Sequence, residues 1–406
     1  MTITANASHN SGTGPQLTGW RRHVAVAMSA LMVLFSSLPA AAQSIMPRAP
    51  EVAASSYILM DATTGHIIME ENADEALPPA SLTKIMTAYI AEVEIDNGNM
   101  SYDDQAYISE KAWRTQGSKT FVDVGSYVRV EDLLRGIIIQ SGNDASVAMA
   151  EHIAGSEEAF ADLMNQHAQA LGMDQSLFLN SSGLDTPSGD TNLMSARDLM
   201  KLARATIQEH PDHYDIYSER EFTFNGITQG NRNSLLFRDP SVDGMKTGWT
   251  DRAGYCLVAS AERDGMRLIS VVMGTASEEA RAVETQKMLS YGFRFYETHK
   301  LYDVGDVINT ARVWSGAENS VELGINEEVY ITIPRGRADE LTATLDSEEF
   351  IRGGFEAGTV LGSVNVTLDD EVLYSGDVVA IEGVERAGWL KRLIDALTLF
   401  IMGLFN

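Results

Sequence analysis

The 406-residue sequence contains one cysteine, Cys256, and only 30 basic residues against 57 acidic ones, for a formal net charge of −27. A single cysteine excludes an internal disulfide framework and supplies too few thiolates for a cysteine-based zinc or iron–sulfur site. The shortage of bases argues against a nucleic-acid partner, because phosphates require clustered lysine and arginine. With 44% hydrophobic and 21% charged residues, the composition is that of a globular protein, and the length favours two folded units.

Metal-binding and cofactor motifs are also lacking. The eight histidines form no HExxH pattern, and His210 and His213 lie in a segment with proline and aspartate that is typical of a loop. We therefore expect no metal and no cofactor. Cys256 falls in an apolar strand pattern, which predicts a buried and unreactive thiol.

The first 42 residues have the layout of a secretory signal peptide. They contain no Asp, Glu or Lys, and Arg21 and Arg22 precede an apolar run from Val24 to Leu38 that ends near Ala40-Ala41-Ala42. The run of about 15 residues is shorter than the roughly 20 needed to span a bilayer. We expect cleavage after Ala42 and export from the cytoplasm, by either the Sec or the twin-arginine route.

The last residues, 386–406, predict an amphipathic helix. Its polar positions are Lys391, Asp395 and Thr398, and its apolar positions are Trp389, Leu393, Leu397, Phe400 and Leu404. The apolar end is too short to cross a bilayer. We therefore expect a helix that lies in the membrane interface with Arg386, Lys391 and Arg392 facing anionic lipid. Packing of the helix on the protein's own core is the alternative.

Between these two signals, residues 43–298 mix strand and helix patterns, which indicates an α+β domain. The predicted strands are Ser56–Asp61, Tyr255–Ala261 and Arg267–Met273. The predicted helices are Leu82–Val93, Val130–Ile139, Asp144–Ile153, Glu157–Leu171 and Ser195–Ile207, the last with Ser195 as its N-cap.

Residues 299–385 show strand patterns separated by Gly and Asp turns, and they predict a small all-β sandwich. The predicted strands include Val329–Ile333, Leu341–Leu345, Val364–Leu368 and Val378–Ile381. This segment has no evident catalytic residues, and its acidic charge would be repelled by an anionic membrane. We expect it to act as a spacer that holds the first domain away from the membrane surface.

The segment Pro78-Pro79-Ala80-Ser81-Leu82-Thr83-Lys84 carries the first candidate catalytic pair. Two prolines precede a helix-forming run, so a helix is predicted to begin near Ser81, with Ser81 and Lys84 on one face. A serine hydroxyl becomes a nucleophile when a neighbouring base takes its proton. A lysine can be that base when burial and a nearby positive charge lower its pKa.

Two further motifs follow in the same segment. Ser141-Gly142-Asn143 stands at the start of a predicted helix, and Lys246-Thr247-Gly248-Trp249 precedes the Tyr255 strand. A Ser-x-Asn pattern alone is common, and it recurs at Ser363–Asn365. The order SxxK, SxN and KTG in one exported domain is what makes the set specific.

With these motifs the chain resembles the low-molecular-mass penicillin-binding proteins that are serine-type D-alanyl-D-alanine carboxypeptidases. The stretches PASLTKIMTAY, GIIIQSGNDASVAMAEHIAGS and VDGMKTGWTDRAGYCLVASA are similar to that family, as are the acidic β domain and the tail. The resemblance implies a penicillin-binding/β-lactamase-like α+β domain, an antiparallel sheet with helices, followed by the β sandwich and the C-terminal helix. It also implies acylation by β-lactams and removal of the terminal D-alanine from peptidoglycan pentapeptides.

The resemblance assigns a role to each motif residue. Ser81 corresponds to the acylated nucleophile, Lys84 to its general base, Ser141 to a proton relay and Asn143 to a group that orients Lys84 and binds the substrate amide. Lys246 supplies a positive field, while Thr247 and Arg232 receive the terminal carboxylate. The backbone N–H groups of Ser81 and of Trp249, after Gly248, form the oxyanion hole. Trp249 is a departure, because histidine is common there in the family.

Other classes of protein share parts of this pattern. A class A β-lactamase uses an additional Glu in an ExxLN pattern to activate the deacylating water, and that pattern does not occur in this sequence. A transpeptidase or an endopeptidase shares the acyl-enzyme and differs only in acceptor or acyl donor, so both stay open. A wall-binding module with a decayed site is disfavoured by the intact motif residues.

Overall fold

The first domain is built around an antiparallel five-stranded sheet in this computed structural model, which describes residues 46–348 and 350–404. Its strands in the described residues are β1 (Ser56–Asp61), β2 (Ile67–Glu71), β3 (Gln105–Tyr107), β4 (Tyr127–Arg129), β5 (Glu221–Phe224), β6 (Ile227–Gly230), β7 (Val242–Thr250), β8 (Gly254–Arg263) and β9 (Met266–Thr275). The central sheet has the order β2-β1-β9-β8-β7, while β3–β4 and β5–β6 form separate hairpins. The sheet is therefore closed by segments from both ends of the domain.

Seven helices accompany this sheet in the described part of the domain. They are α1 (Lys84–Asp96), α2 (Glu110–Arg114), α3 (Val130–Ile138), α4 (Asn143–Ala154), α5 (Glu157–Ala170), α6 (Ala196–Glu209) and α7 (Glu278–Phe295), and short 3-10 turns span Ala80–Thr83, Tyr214–Ser218 and Ser234–Phe237. The predicted N-cap of α6 is confirmed, because the Ser195 hydroxyl accepts a hydrogen bond from the Asp198 N–H at 3.1 Å.

The sheet separates two apolar cores. Alternate residues of β1 face opposite sides, so Ile58 and Met60 join the larger core with helices α1, α3, α4 and α6, whereas Tyr57 and Leu59 pack with α7. All six residues of β1 are buried. A strand covered on both faces explains the continuous apolar pattern that predicted β1, β8 and β9.

One helix prediction differs at its start. The run Leu82–Val93 was expected to be helical from near Ser81, but the chain first makes the 3-10 turn Ala80–Thr83, and α1 begins at Lys84. Ala80 adopts a left-handed φ of +48°, which interrupts the helical path before Ser81. The consequence is that Ser81 lies on a turn ahead of the α-helix that carries Lys84.

The second domain is all-β in its described residues, apart from a 3-10 turn at Ala338–Glu340. Its strands are β10 (Tyr296–Tyr302), β11 (Val307–Trp314), β12 (Ser320–Gly324), β13 (Val329–Pro334), β14 (Thr342–Ser347), β15 (Ile351–Arg352), β16 (Val360–Leu368) and β17 (Glu371–Ala380). They form a six-stranded sheet, β14-β16-β17-β12-β11-β15, and the pair β10-β13. The two sheets meet where Ile331 and Ile333 of β13 pack with Val366 and Leu368 of β16.

The two domains meet at a buried carboxylate. Asp61, at the end of β1, accepts hydrogen bonds from the hydroxyls of Thr298 at 2.5 Å and Thr332 at 2.8 Å, which belong to the second domain. Helix α7 ends at Phe295 and β10 begins at Tyr296, so the predicted boundary after residue 298 falls inside β10.

The C-terminal helix, α8 (Trp389–Met402), docks on the β domain through its polar face. The carboxylate of Asp395 accepts the Ser315 N–H at 2.8 Å, and the Lys391 amine donates to the Ala317 carbonyl at 3.1 Å. The expectation that Lys391 faces lipid is therefore wrong, because its amine is turned toward the β domain. The opposite face is open, with Trp389 75% exposed and Phe400 66% exposed.

The alternative of a tail packed on the protein's own core is contradicted by this open apolar face. Within the described residues, no helix combines the length and the apolar character that crossing a membrane requires. The predicted signal peptide, residues 1–42, lies outside the described residues.

Candidate active site

Ser81 and Lys84 are brought together by the junction of the 3-10 turn with α1. The Nζ atom of Lys84 lies 3.0 Å from the Oγ atom of Ser81. Behind them, Gly183 adopts a φ of +82°, and a Cβ atom at this position would lie 1.9 Å from the Ala80 carbonyl oxygen. Only glycine lets this backbone approach the serine turn so closely. The approach places the preceding carbonyl, that of Ser182, 2.6 Å from Lys84 Nζ.

Lys84 is buried and its pKa is lowered from the ordinary lysine value to about 7. Burial is the main cause, because it disfavours the ammonium form, and the positive charge of Arg232 adds to it. The negative charges of Asp144 and Glu157 partly offset this shift, because they raise the pKa of Lys84. Near pH 7 about half of the Lys84 side chains are therefore neutral amines, the form that a general base requires.

The SGN segment supplies the second side of the site. Ser141 adopts a left-handed φ of +62° just ahead of α4, and the Asn143 side-chain oxygen accepts a hydrogen bond from Lys84 Nζ at 2.7 Å. The Asn143 amide is itself fixed, since its Nδ2 donates to the Gln116 carbonyl at 2.7 Å. Next to it, the Asp144 carboxylate accepts the N–H groups of Thr120 and Phe121 at 2.8 and 2.9 Å, which holds the loop beside the site.

The KTG segment forms the third side and lies within the edge strand β7. A Cβ atom at Gly248 would lie 2.7 Å from the Pro79 carbonyl oxygen, so glycine allows the strand to lie directly against the turn of Ser81. The Lys246 amine donates to Ser141 Oγ at 2.9 Å and to the Thr247 carbonyl at 3.0 Å. Lys246 thus contacts Ser141, and Ser141 lines the same cavity as Ser81.

The pKa of Lys246, the lysine assigned to the positive field, is shifted as well. Burial lowers its pKa well below the usual range, and the positive charges of Lys84, Arg232 and Arg281 lower it further. Two buried amines and two guanidinium groups lie close together there, and their like charges disfavour the ammonium form of Lys246. An anionic group that entered the pocket would stabilise the ammonium form of Lys246.

The three segments enclose a cavity of about 280 Å³. It is lined by Ser81, Ser118, Ser141, Arg232, Thr247, Gly248, Trp249, Tyr255, Glu278 and Arg281. Lys84, Asn143 and Lys246 lie buried behind its wall. The structure therefore brings together all nine residues singled out in the sequence.

Several lining residues were not predicted. Arg281 and Glu278 come from the first turn of α7, and Ser118 comes from the loop between α2 and β4. No local motif marks these residues, because only the folded chain packs α7 on β8 and β9 and so brings Arg281 to the Gly248 carbonyl of β7. The Ser182 carbonyl had no sequence signal either, since any residue supplies a carbonyl group.

Two other predictions concern residues outside the pocket. Cys256 is buried in β8, and burial raises the pKa of its thiol to about 11, which agrees with an unreactive cysteine. His210 and His213 follow α6 and both contact the Asp96 carboxylate, at 2.5 and 2.8 Å. No group of metal-ligating side chains suited to an ion occurs in the described part of the chain.

A polarised serine hydroxyl beside an amine of lowered pKa, in a cavity with cationic walls, can perform acyl transfer on an anionic substrate. The fold and the site define a serine hydrolase of the penicillin-binding class. Residues 43–277 match the family model described as D-alanyl-D-alanine carboxypeptidase, and residues 296–386 match that of the penicillin-binding protein 5 C-terminal domain.

Individual relatives agree with these matches. The chain is 41% identical over 366 residues to the D-alanyl-D-alanine carboxypeptidase DacA of Escherichia coli K12, covering 88% of this chain and 90% of the relative. It is 40% identical to the D-alanyl-D-alanine carboxypeptidase DacC of the same organism, covering 93% of this chain and 94% of that relative. The crystal structure of penicillin-binding protein 5 from Haemophilus influenzae superposes with a TM-score of 0.79 at 41% identity, covering 84% of this chain and all of that one. The chain belongs to the D-alanyl-D-alanine carboxypeptidase family.

Proposed function

We propose that this serine-type D,D-carboxypeptidase removes the terminal D-alanine from peptidoglycan pentapeptide stems through an acyl-enzyme on Ser81. The observation that carries the proposal is the position of Lys84 Nζ, 3.0 Å from Ser81 Oγ and 2.7 Å from Asn143 Oδ1, with a pKa of about 7. An amine in this position can take the hydroxyl proton as the oxygen attacks.

In the acylation step, Ser81 Oγ bonds to the carbonyl carbon of the penultimate D-alanine while Lys84 takes the hydroxyl proton. The backbone N–H groups of Ser81 and Trp249 stabilise the resulting oxyanion. The C–N bond then breaks as the proton that Lys84 took from Ser81 passes through the Ser141 hydroxyl to the leaving amine, which returns Lys84 to its neutral form. The Ser141 hydroxyl is held 2.9 Å from Lys246 Nζ. The products of this step are free D-alanine and an ester on Ser81.

In the deacylation step, water replaces the released D-alanine. The neutral Lys84 amine takes a proton from this water as the water oxygen attacks the ester carbon. Lys84 then returns the proton to Ser81 Oγ as the C–O bond of the ester breaks. A β-lactam enters the same path, because its amide bond takes the place of the D-alanyl-D-alanine bond. Its opened ring stays attached to the acyl group, so the leaving amine does not depart.

The positive charge of the cavity supports recognition of a substrate carboxylate. Arg232 and Thr247 line the wall, and Lys246 lies directly behind it. Charged hydrogen bonds of this kind are worth more than neutral ones. The terminal carboxylate of the pentapeptide is the group that we assign to Thr247 and Arg232, while Asn143 binds the substrate amide and Gly248 lets the substrate lie along β7.

We also propose a division of the chain that fits an exported, membrane-attached enzyme. Residues 1–42 are the signal peptide, 43–295 the catalytic domain, 296–388 the β domain and 389–406 the anchor, so the inner boundaries predicted after residues 298 and 385 move to the end of α7 and the start of α8. The support for the anchor is the orientation of α8, whose polar face docks on the β domain while its apolar face is open. The enzyme then works in the periplasm, at the outer face of the cytoplasmic membrane, on its peptidoglycan substrate.

The proposal is tested by incubating the purified mature enzyme with a pentapeptide ending in D-Ala-D-Ala and measuring released D-alanine. Wild type should release one D-alanine per peptide, Ser81→Ala should release none, and Ser188→Ala, an exposed serine outside the cavity, should match wild type. Cross-linked muropeptide dimers and an added amino acceptor, tested in parallel, distinguish endopeptidase and transpeptidase activity. D-alanine release that persisted in Ser81→Ala would contradict the proposal.

A further inference from the structure

Arg281 is a buried arginine in the cavity wall, and three neighbours fix its guanidinium group. Its Nη1 donates to the Gly248 carbonyl at 3.3 Å, and its Nη2 donates to Glu278 Oε1 at 3.3 Å. Its Cζ atom also lies 5.7 Å from the centre of the Tyr255 ring, on the strand that pairs with β7. The guanidinium is therefore attached to the backbone of β7 at the residue before Trp249.

The Gly248 carbonyl and the Trp249 N–H belong to one trans peptide group, so they point in opposite directions. With the carbonyl held on the side of Arg281, the N–H is directed away from Arg281. A cation that hydrogen-bonds to a carbonyl also polarises the amide and makes its N–H a stronger donor. Gly248, Trp249 and Ser81 all line the same cavity.

We propose that Arg281 is a positioning residue for the oxyanion hole, which fixes and polarises the Gly248–Trp249 peptide so that the Trp249 N–H stabilises the negative oxygen. Glu278 holds the other edge of the guanidinium. The inference rests on the proposed function, which assigns the Trp249 N–H to the oxyanion. It predicts an effect on every acyl donor, whereas an arginine that only bound the substrate carboxylate would affect only donors that carry one.

The test uses an acyl-D-alanyl thiolester whose leaving group is a simple alkyl thiol without a carboxylate. The acylation rate constant is measured for wild type, Arg281→Gln and Arg238→Gln. Arg238 is a matched control, because it pairs with Glu279 at 2.7 Å on the same turn of α7 but does not line the cavity. In parallel, a ¹³C label at the reacting carbonyl allows the ester stretching frequency of the acyl-enzyme to be read by infrared difference spectroscopy.

We expect Arg281→Gln to lower the acylation rate constant with the thiolester by about tenfold, less than the loss of an entire oxyanion donor. The ester carbonyl stretch should move to higher frequency, since a weaker hydrogen bond polarises the carbonyl less. Arg238→Gln should leave both unchanged. A thiolester rate and a stretching frequency equal to those of wild type, with a loss confined to carboxylate-bearing peptides, would overturn the inference and leave the proposed function intact.

A second variant covers the case in which Arg281→Gln does not fold. The Glu278 side chain is 66% exposed, so Glu278→Ala should be tolerated. It frees one edge of the guanidinium and should raise the carbonyl stretching frequency by less than Arg281→Gln. An unchanged frequency in Glu278→Ala would then contradict the inference. A wild-type enzyme that the thiolester did not acylate at Ser81 would contradict the proposed function itself.

Discussion

The Nζ atom of Lys84 lies 3.0 Å from the Oγ atom of Ser81, and it also contacts Asn143 Oδ1 and the Ser182 carbonyl oxygen. All three partner atoms are oxygens that can accept a hydrogen bond, so they hold the Lys84 amine in place through its N–H groups. Burial and the charge of Arg232 oppose the third proton strongly enough to bring the pKa of Lys84 to about 7. The environment thus orients the amine without keeping it fully charged.

The first prediction concerns pH. Lys84 is protonated below its pKa of about 7 and neutral above it, so the acylation rate constant should rise through neutral pH and level off at higher pH. Lys84→Ala should lower the acylation rate constant by about 10²–10⁴ with both penicillin and peptide and should lose this limb of the profile. Stopped-flow acylation between about pH 5 and pH 9 measures the pH profile and the rate constant of each enzyme. Acylation of Lys84→Ala at a rate near that of wild type would mean that another residue is the base.

The second prediction concerns the substrate carboxylate. Thr247 is buried beside Lys246 in β7, and its hydroxyl is assigned to the terminal carboxylate. Thr247→Ala should raise KM for a carboxylate-terminated peptide by about tenfold, the value of a hydrogen bond to a charged group. The KM for an ester that lacks the carboxylate should change much less. Thr223→Ala, in the β5–β6 hairpin, should leave the KM of both substrates unchanged. An equal loss with both substrates would remove Thr247 from carboxylate recognition.

The third prediction concerns stability and comes from a buried acid outside the site. Glu92 of α1 is 1% exposed, and burial together with the charge of Asp96 raises its carboxyl pKa to about 8. In the unfolded chain this carboxyl ionises near its ordinary value of 4.5. Between about pH 4.5 and pH 8 the folded state therefore holds a proton on Glu92 that the unfolded state has lost, so the contribution of Glu92 to stability falls as pH rises.

Glu92→Gln should remove this slope, because glutamine does not titrate. The Tm difference between Glu92→Gln and wild type should therefore grow in favour of the variant from about pH 5 to pH 8. Glu110→Gln, an exposed carboxyl of α2 that pairs with Arg114, serves as control and should show no such trend. A Tm difference independent of pH would mean that Glu92 is not neutral in the folded enzyme.

The fourth prediction concerns the tail. Leu393 and Leu397 lie on the open face of α8, 61% and 60% exposed. Replacing both with glutamate should abolish sedimentation with anionic vesicles, since apolar burial holds an interfacial helix. Val304→Glu, an equally exposed apolar residue of the β domain, should not affect sedimentation. Activity on soluble peptide should be unchanged in both variants, and wild-type protein that stayed wholly in the supernatant would contradict the anchor.

A truncation should begin at Trp389 rather than at residue 386. Residues 386 and 387 still belong to the β domain, because Arg386 bridges to Gly316 and the Ala387 N–H donates to the Ser315 carbonyl. Removing residues 389–406 should therefore leave a soluble and active enzyme, whereas removing residues from 386 onward should also lower the stability of the β domain.

Much of the fold was predictable where burial imposes a period on the sequence. Strand β1 matched its apolar run residue for residue, and the bounds of α3, α4, α5 and α6 came within two residues, because their apolar residues follow a helical period. The 18-residue helix α7 was missed, although Ser277 caps it with a hydrogen bond from the Ala280 N–H. Its buried residues include Arg281 and Glu284, so its apolar stripe is broken.

The motif residues of the site were also predictable, since each motif carries its own chemistry. Three features of the site were not predictable. The 3-10 turn at Ser81 depends on a contact with the distant Gly183, and the Ser182 carbonyl has no side-chain signature. Arg281 reaches the cavity only because α7 packs against β8 and β9. Each of these depends on tertiary packing rather than on local sequence.

The most direct test of the account is to locate the covalent adduct that a penicillin leaves on the enzyme. Mature protein is incubated with benzylpenicillin, its intact mass is measured, and the modified residue is mapped by peptide mass spectrometry. The account predicts one adduct of the full penicillin mass per chain, on Ser81, and none in Ser81→Ala. An adduct on Ser141, or no adduct on any serine, would contradict it.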